Sequence, residues 1–571
     1  MKSVSAWLAA AALAGILGYG GATARMIQRP LVLDETLFPV EGRQAAYFGS
    51  SIDHNPPMLN GLVRAVLGVT GWGDGRLRWI GIACFLLTLW LVWSLGERWE
   101  PGSGLPAATA VLWHPLAVNS SWTLDYDQTL MVPLVTAWCL VLAMRPHAER
   151  WSDAWWAGGA MALALWAKMT TPLVMPPALF LAHGFRGQWR TGRLAAVRIA
   201  AIGGGLFALA WFAYSWSHGL PVWALVHGRL MEVLLRGPSH YTLSAAQEIA
   251  ERVVRVTLWI GPWFACWVAW ACAMHWMQPA ARRRVSEDVS WLFCALAGTG
   301  YLVVGGVLWS FAKYHAPLVP VLSALAAAVT VRVWRQSQPA LRRTSAPVLA
   351  LAAGGAALWR AGDVLYAVNR TLRMTWIYEP AGVQAVLWGI AGQGGWLLFG
   401  GLLVAAGVCW CLRATGRAGR PALLGTALLA AAGMSHAVVL ARQAGAAYAT
   451  TYCYGRPWTH YQSMIDAAKM FGAKHPHGRI MAPFDVLYNA GLSWDTHLWE
   501  WKINQDAATF LRAIQEPDVV ALMVDPYFSN THFLTVLLKD EDVAAVMRRL
   551  YEARPLGEGT LWIRHGAAPA S

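Results

Sequence analysis

The chain has 571 residues, 57% of them hydrophobic and only 13% charged, with 35 tryptophans and a formal net charge of +14. An ordinary water-soluble domain carries about 25% charged residues, so a soluble globular enzyme is excluded. The basic surplus does not read as a nucleic-acid face, because the arginines sit in short loops between apolar runs, where they mark membrane topology.

Lys2 is followed by an apolar run to about Ala24, with no small-residue cleavage site before Arg25. This predicts an uncleaved signal-anchor helix with its N-terminus in the cytoplasm. A spanning helix needs about 20 apolar residues. Candidate spans centre near Leu13, Leu87, Leu112, Val135, Leu163, Met175, Leu209, Ala265, Val303, Leu322, Ala353, Leu402 and Leu429. That makes about thirteen by this length criterion, the third, fifth and sixth being short. Alternate loops are arginine-rich: Arg98; Arg145 and Arg150; Arg186, Arg190, Arg193 and Arg198; Arg282, Arg283 and Arg284; Arg332, Arg335, Arg342 and Arg343; Arg413, Arg417 and Arg420. The alternation predicts an odd number of spans with the C-terminus outside. A bacterial inner membrane is the expected location. Seven cysteines lie in apolar spans and only Cys453 in the tail, so no disulfide framework is visible.

After about Ala444 the charged residues return and apolar runs shorten to strand length. Gly478–Ala482, Asp518–Val524 and Thr560–Ile563 read as strands, and Gln505–Gln515 and Asp540–Tyr551 carry helical spacing. The chain is therefore expected to be a polytopic α-helical membrane protein over residues 1–443, with a soluble extracytoplasmic α/β domain over residues 444–571. No internal repeat is present.

The unusual polar groups fall on one side of the expected topology. The first external loop, residues 25–78, holds the acidic pair Asp34 and Glu35, then Glu41, Arg43, Asp53 and the turn His54-Asn55-Pro56-Pro57. Carboxylates beside a bilayer are costly without a partner or a task. The turn from Trp122 to Gln128 adds Asp125 and Asp127, and spacing alone does not choose between them. Lys168 lies between two apolar helices, and Lys313-Tyr314-His315 precedes a helix with Pro317 and Pro320. Such carboxylates can take a proton from a hydroxyl acceptor, and such lysines can hold a phosphate and stabilise it as it leaves.

In order and spacing these motifs resemble the GT-C glycosyltransferases that use polyprenyl-phosphate sugars, the group of the protein O-mannosyltransferases and the lipid A aminoarabinose transferases. The likeness is strongest over residues 30–180, fair to 335 and weak beyond. It implies a GT-C fold and inverting transfer from a polyprenyl-phosphate-linked sugar to a lipid, glycan or protein acceptor. Asp34 would be the base or acceptor-orienting carboxylate, supported by Glu35 and by Asp125 or Asp127. Lys168 and Lys313, with His54 and Tyr314, would bind the donor phosphate. Unlike the mannosyltransferase branch, the chain has no recognisable β-trefoil insert. Arg229, Arg236, His240 and Tyr241 in the fourth external loop are candidates to bind an anionic acceptor such as a lipid headgroup, the plainer reading being a solvated loop.

Plainer readings stand beside these. Asp34 and Glu35 could cap an interfacial helix; Asp125 and Asp127 could be a solvated turn; Lys168 and Lys313 could snorkel to headgroups; His54 could be a turn residue. The oxygen and nitrogen donors would suit a divalent ion, but the resemblance is to branches regarded as metal-independent, so no metal is assigned. A transporter would place ionisable groups at the midplane within inverted repeats, which the sequence lacks. A polysaccharide polymerase or ligase would use Arg229 to Tyr241.

Overall fold

The computed structural model describes residues 2–27, 56–71, 74–223, 253, 256–257, 260–303, 312–337, 352–356, 400–406, 409, 419–445, 458–492, 497–499, 507–525, 538 and 540–567. They form two compact units, one up to Ala444 and one holding the described residues from 458 onward. Asp34, Glu35, His54, Arg229, Arg236, His240 and Tyr241 lie outside the described residues.

The first unit is helical. Its elements are α1 (Lys2–Ile27), α2 (Met58–Thr70), α3 (Asp74–Trp99), α4 (Gly104–Trp113), α5 (Pro115–Trp122), a π-helical turn (Tyr126–Leu130), α6 (Met131–Met144), α7 (Trp151–Ala167), α8 (Met175–Gly184), α9 (Trp189–Ser217), α10 (Pro262–Trp276), α11 (Val285–Val303), α12 (Leu318–Gln336) and α13 (Arg420–Gly445). Among the described residues, five helices are long and apolar enough to cross a bilayer: Gly75–Trp99, Tyr126–Met144, Trp189–Ser217, Leu318–Gln336 and Arg420–Leu440. The protein is a multi-pass membrane protein.

The short third span is two helices, not one. Pro115 has no N–H to continue α4 and begins α5 instead, and His114 Nδ1 accepts the Leu116 N–H at 3.2 Å. The short sixth span is also explained. Thr171–Val174 is a 3-10 turn ahead of the ten-residue α8. Such irregular backbone is tolerated in a membrane protein where it is buried in protein, and it leaves Lys168 in an extended conformation at the end of α7.

Glycine lets α3 approach α5 closely. A Cβ on Gly81 would lie 2.7 Å from the Ser121 carbonyl oxygen, and backbone cannot yield as a side-chain tip can. Gly81→Ala is therefore expected to lower stability by about 1–3 kcal/mol, read as a lower melting midpoint in detergent. An unchanged midpoint would mean that α3 can slide.

At their arginine-bearing ends the helices are tied by ion pairs. Asp288 on α11 accepts from Arg186 Nε at 2.8 Å and lies 2.7 Å from His275 Nε2. Glu287 accepts from Arg332 at 2.7 Å and sits 3.3 Å from His275 Nδ1. Arg332 and Arg335 both pair with Glu100. Arginines that the sequence offers as topology markers thus also join α3, α8, α10, α11 and α12.

The second unit holds α14 (Trp458–Lys474), β1 (Arg479–Ala482), α15 (Phe484–Asn489), β2 (Leu498–Trp499), α16 (Ala507–Gln515), β3 (Val519–Val524), α17 (Glu541–Leu550), β4 (Tyr551–Leu556) and β5 (Gly559–Arg564). The sheet order is β2-β1-β3-β5-β4. β1 is parallel to β2 and β3, while β5 is antiparallel to β3 and β4. Side chains alternate between the faces of a strand. Ala521 and Met523 pack with Tyr461, Met464 and Phe471 of α14, whereas Leu522 packs with Phe510 of α16 and Met547 of α17. Helices therefore cover both faces. Tyr551 donates from its hydroxyl to the Ile514 carbonyl at 2.7 Å, and burial pushes that hydroxyl up to about 12. His497 accepts the Ile480 N–H on Nδ1 at 3.2 Å and so is tied to the sheet.

Candidate active site

The turn after α5 is shaped by its own polar side chains. Thr129 Oγ1 accepts the Asp125 N–H at 3.0 Å and donates to the Thr123 carbonyl at 2.8 Å. Thr123 donates to Gln128 Oε1 at 2.6 Å. Asp125 caps the π-helical turn, its Oδ1 accepting the Asp127 N–H at 2.8 Å. Asn60 on α2 accepts from the Tyr126 hydroxyl at 3.2 Å. Wide helical turns of this kind are rare and recur at functional sites. Here the turn aims two carboxylates, two residues apart, at two different lysines.

Asp125 Oδ2 lies 2.6 Å from Lys313 Nζ, and Asp127 Oδ2 pairs with Lys168 Nζ. All four residues are buried, between 2% and 7% exposed. A solvated turn and snorkelling lysines are thus not what these residues form. Lys313 comes from the 3-10 turn Ala312–His315 ahead of α12. The ring of Tyr314, half-buried, lies under both ammonium groups, with Lys168 Nζ 4.5 Å and Lys313 Nζ 5.8 Å from its centroid. Ammonium groups are attracted to an aromatic face. Tyr301 of α11 stacks on Tyr314 at 5.3 Å with the planes 8° apart. Its hydroxyl lies 2.5 Å from Thr171 Oγ1 and 3.1 Å from Thr170 Oγ1, which ties the aromatic pair to the segment carrying Lys168.

Five residues singled out in the sequence therefore meet at one place: Asp125, Asp127, Lys168, Lys313 and Tyr314. Asp125 and Asp127 each meet a lysine of their own, so the geometry does not choose between them. Sequence reasoning missed Tyr301 and Asn60, lone polar residues on apolar helices with no spacing to flag them. Among the described residues His315, named with the Lys-Tyr pair, meets neither carboxylate in an ion pair; its Nε2 lies 3.4 Å from the Gly298 carbonyl and its ring 5.9 Å from that of Tyr301.

The cluster lies at the ends of α6, α7 and α12 away from Arg145, Arg150 and Arg335. Its formal charge is balanced, two carboxylates against two ammoniums. Buried ions this close are held by each other. One oxygen breaks the pattern: Asp127 Oδ1 is buried and accepts no hydrogen bond from the described residues. Buried polar atoms without partners are uncommon and mark strain, catalysis or an exchangeable contact. Among the described residues no group of three His, Cys, Asp or Glu side chains is arranged to hold a metal ion.

Residues 54–217 match the family model of the dolichyl-phosphate-mannose-protein mannosyltransferases. The matched stretch contains Asp125, Asp127 and Lys168 and ends before Lys313. The whole chain superposes on ArnT from Cupriavidus metallidurans in the apo state, with a TM-score of 0.54 at 13% identity, covering 100% of both chains. The same protein bound to undecaprenyl phosphate gives a TM-score of 0.55 at 15% identity, covering 99% of this chain and 100% of that one. The fold is that of the GT-C glycosyltransferases. No curated protein sequence matches the chain. The GT-C likeness drawn from the acidic and lysine motifs is thus matched by a family model over the first part of the chain and by ArnT over its whole length.

Proposed function

We propose that this GT-C protein is an inverting glycosyltransferase that moves a sugar from a polyprenyl-phosphate donor to a lipid, glycan or protein acceptor at the extracytoplasmic face of the inner membrane. The observation that carries the reading is the convergence of Lys168 and Lys313 on one tyrosine ring, at helix ends opposite the arginine-rich ones. Lysine is a compact charge on a flexible stem, suited to a phosphate that must bind and then leave. The carrier lipid would slide in from the bilayer and present its phosphate to that pair. The similarity to ArnT, whose structure is known with undecaprenyl phosphate, supports the same donor class.

In the reaction the acceptor oxygen bonds to the anomeric carbon from the face opposite the phosphate. The bond from that carbon to the phosphate oxygen breaks, and its electron pair stays on the phosphate. The acceptor's proton passes to a carboxylate, for which Asp34 with Glu35 is the proposed site. The lysines stabilise the charge that develops on the leaving phosphate. Residues 444–571 are proposed as an extracytoplasmic domain.

Binding tests the phosphate site first. Purified protein in detergent is expected to bind undecaprenyl phosphate, and Lys313→Ala to weaken it about tenfold or more, equivalent to about 1.4 kcal/mol. Equal binding by a well-folded Lys313→Ala would remove that lysine from the site.

A further inference from the structure

We propose that Asp125 and Asp127 are built-in competitors of the phosphate. Each negative charge that a lipid phosphate brings in displaces one carboxylate from its lysine, and the re-forming ion pairs expel the spent carrier. This rests on the reading of the cluster as the donor-phosphate site.

The geometry points to it in three ways. First, the cluster is already neutral, with Lys313 on Asp125 at 2.6 Å and Lys168 on Asp127. A phosphate therefore finds no surplus positive charge among these four residues and must take a lysine from its partner. Second, the two sides differ in freedom. Asp125 is fixed by the Asp127 N–H, and the turn beneath it is fixed by Thr123 and Thr129. A lysine ammonium sits on four methylenes and can swing. Third, the Tyr314 ring, backed by Tyr301, lies within reach of both ammoniums. It gives each a second attraction that persists when the carboxylate contact is broken.

Charge counting then separates substrate from product. The donor is a phosphodiester with one negative charge and needs one lysine. The spent carrier is a monoester whose second ionisation lies near pH 6, so at pH 8 it carries about two charges and needs both lysines. Holding it leaves two buried carboxylates unpaired beside a dianion, a state costly in a low-dielectric site. Return of both lysines to Asp125 and Asp127 favours its departure.

The test is a titration in detergent at pH 8 with two probes: undecaprenyl phosphate, and its methyl ester as a singly charged phosphodiester. Wild-type protein is expected to bind the diester at least as tightly as the monoester. A lysine clamp without competitors would bind the dianion several times more tightly, and that result would overturn the proposal. Asp127→Asn and Asp125→Asn are each expected to bind the monoester more tightly than wild type, by about fivefold or more, in the range of ordinary coupling between two ligands of one site. Equal or weaker binding by a variant that melts like wild type would also overturn it. The wild-type comparison decides the matter if either variant fails to fold. If wild type binds neither ester, the donor assignment itself falls; if it binds both and the aspartate variants gain nothing, only the competition falls.

Discussion

Asp288→Ala is expected to destabilise the helical unit by about 3–5 kcal/mol, the usual result of removing one member of a buried ion pair. Asp288 receives Arg186 at 2.8 Å and His275 at 2.7 Å, and the side chains of His275 and Asp288 are both 0% exposed. Without the carboxylate, two donors are left buried with less negative charge to face, and α8, α10 and α11 lose their common tie. Asp288→Asn keeps an oxygen acceptor and the side-chain volume, so a smaller loss is expected. The measurement is the melting midpoint in detergent, followed by size-exclusion chromatography. A shift no larger than that of an ordinary surface change, within about 0.5 kcal/mol, would mean that the network carries little of the fold's stability.

The second large effect belongs to Lys168. Lys168→Ala is expected to lower the turnover number about 10²–10³-fold, the scale seen when one preorganised stabiliser of a developing anion is removed. It also strands Asp127 in a buried place, so a loss of stability accompanies it. The two losses can be separated. The double variant Lys168→Ala, Asp127→Asn removes the stranded charge and is expected to recover the wild-type melting midpoint while transfer stays low. Non-additivity of this kind is the signature of groups in direct contact. Recovery of transfer along with stability would show that Lys168 only neutralises Asp127.

The sequence made some of this architecture legible and hid the rest for physical reasons. The runs at Arg479–Ala482 and Val519–Val524 are short, apolar and rich in strand-forming residues, as buried parallel strands are. β4, Tyr551–Leu556, carries Glu552, Arg554 and Pro555 and among the described strands pairs only with β5. An edge strand with polar side chains and a proline has no periodic signature to find. At the site, each charged residue was visible as an oddity at a helix end. Their pairing was not, because the partners lie 41 and 188 residues apart. Nor does any local pattern announce the π-helical turn that points Asp125 and Asp127 to separate lysines. The arginines posed the opposite problem. Their alternation reads as topology, and nothing in the spacing says that Arg186 and Arg332 also meet Asp288 and Glu287.

The most direct measurement is sugar transfer by the purified wild-type protein in detergent, from a panel of undecaprenyl-phosphate sugars to lipid, glycan and protein acceptors, with product anomers assigned by NMR. The expected result is transfer from one donor with inversion at the anomeric carbon, abolished in a well-folded Asp34→Asn and strongly reduced in Lys168→Ala, Asp127→Asn. Transfer with retention, or full activity in the double variant, would contradict the assignment of the lysine and aspartate cluster as the centre that holds and releases the donor phosphate.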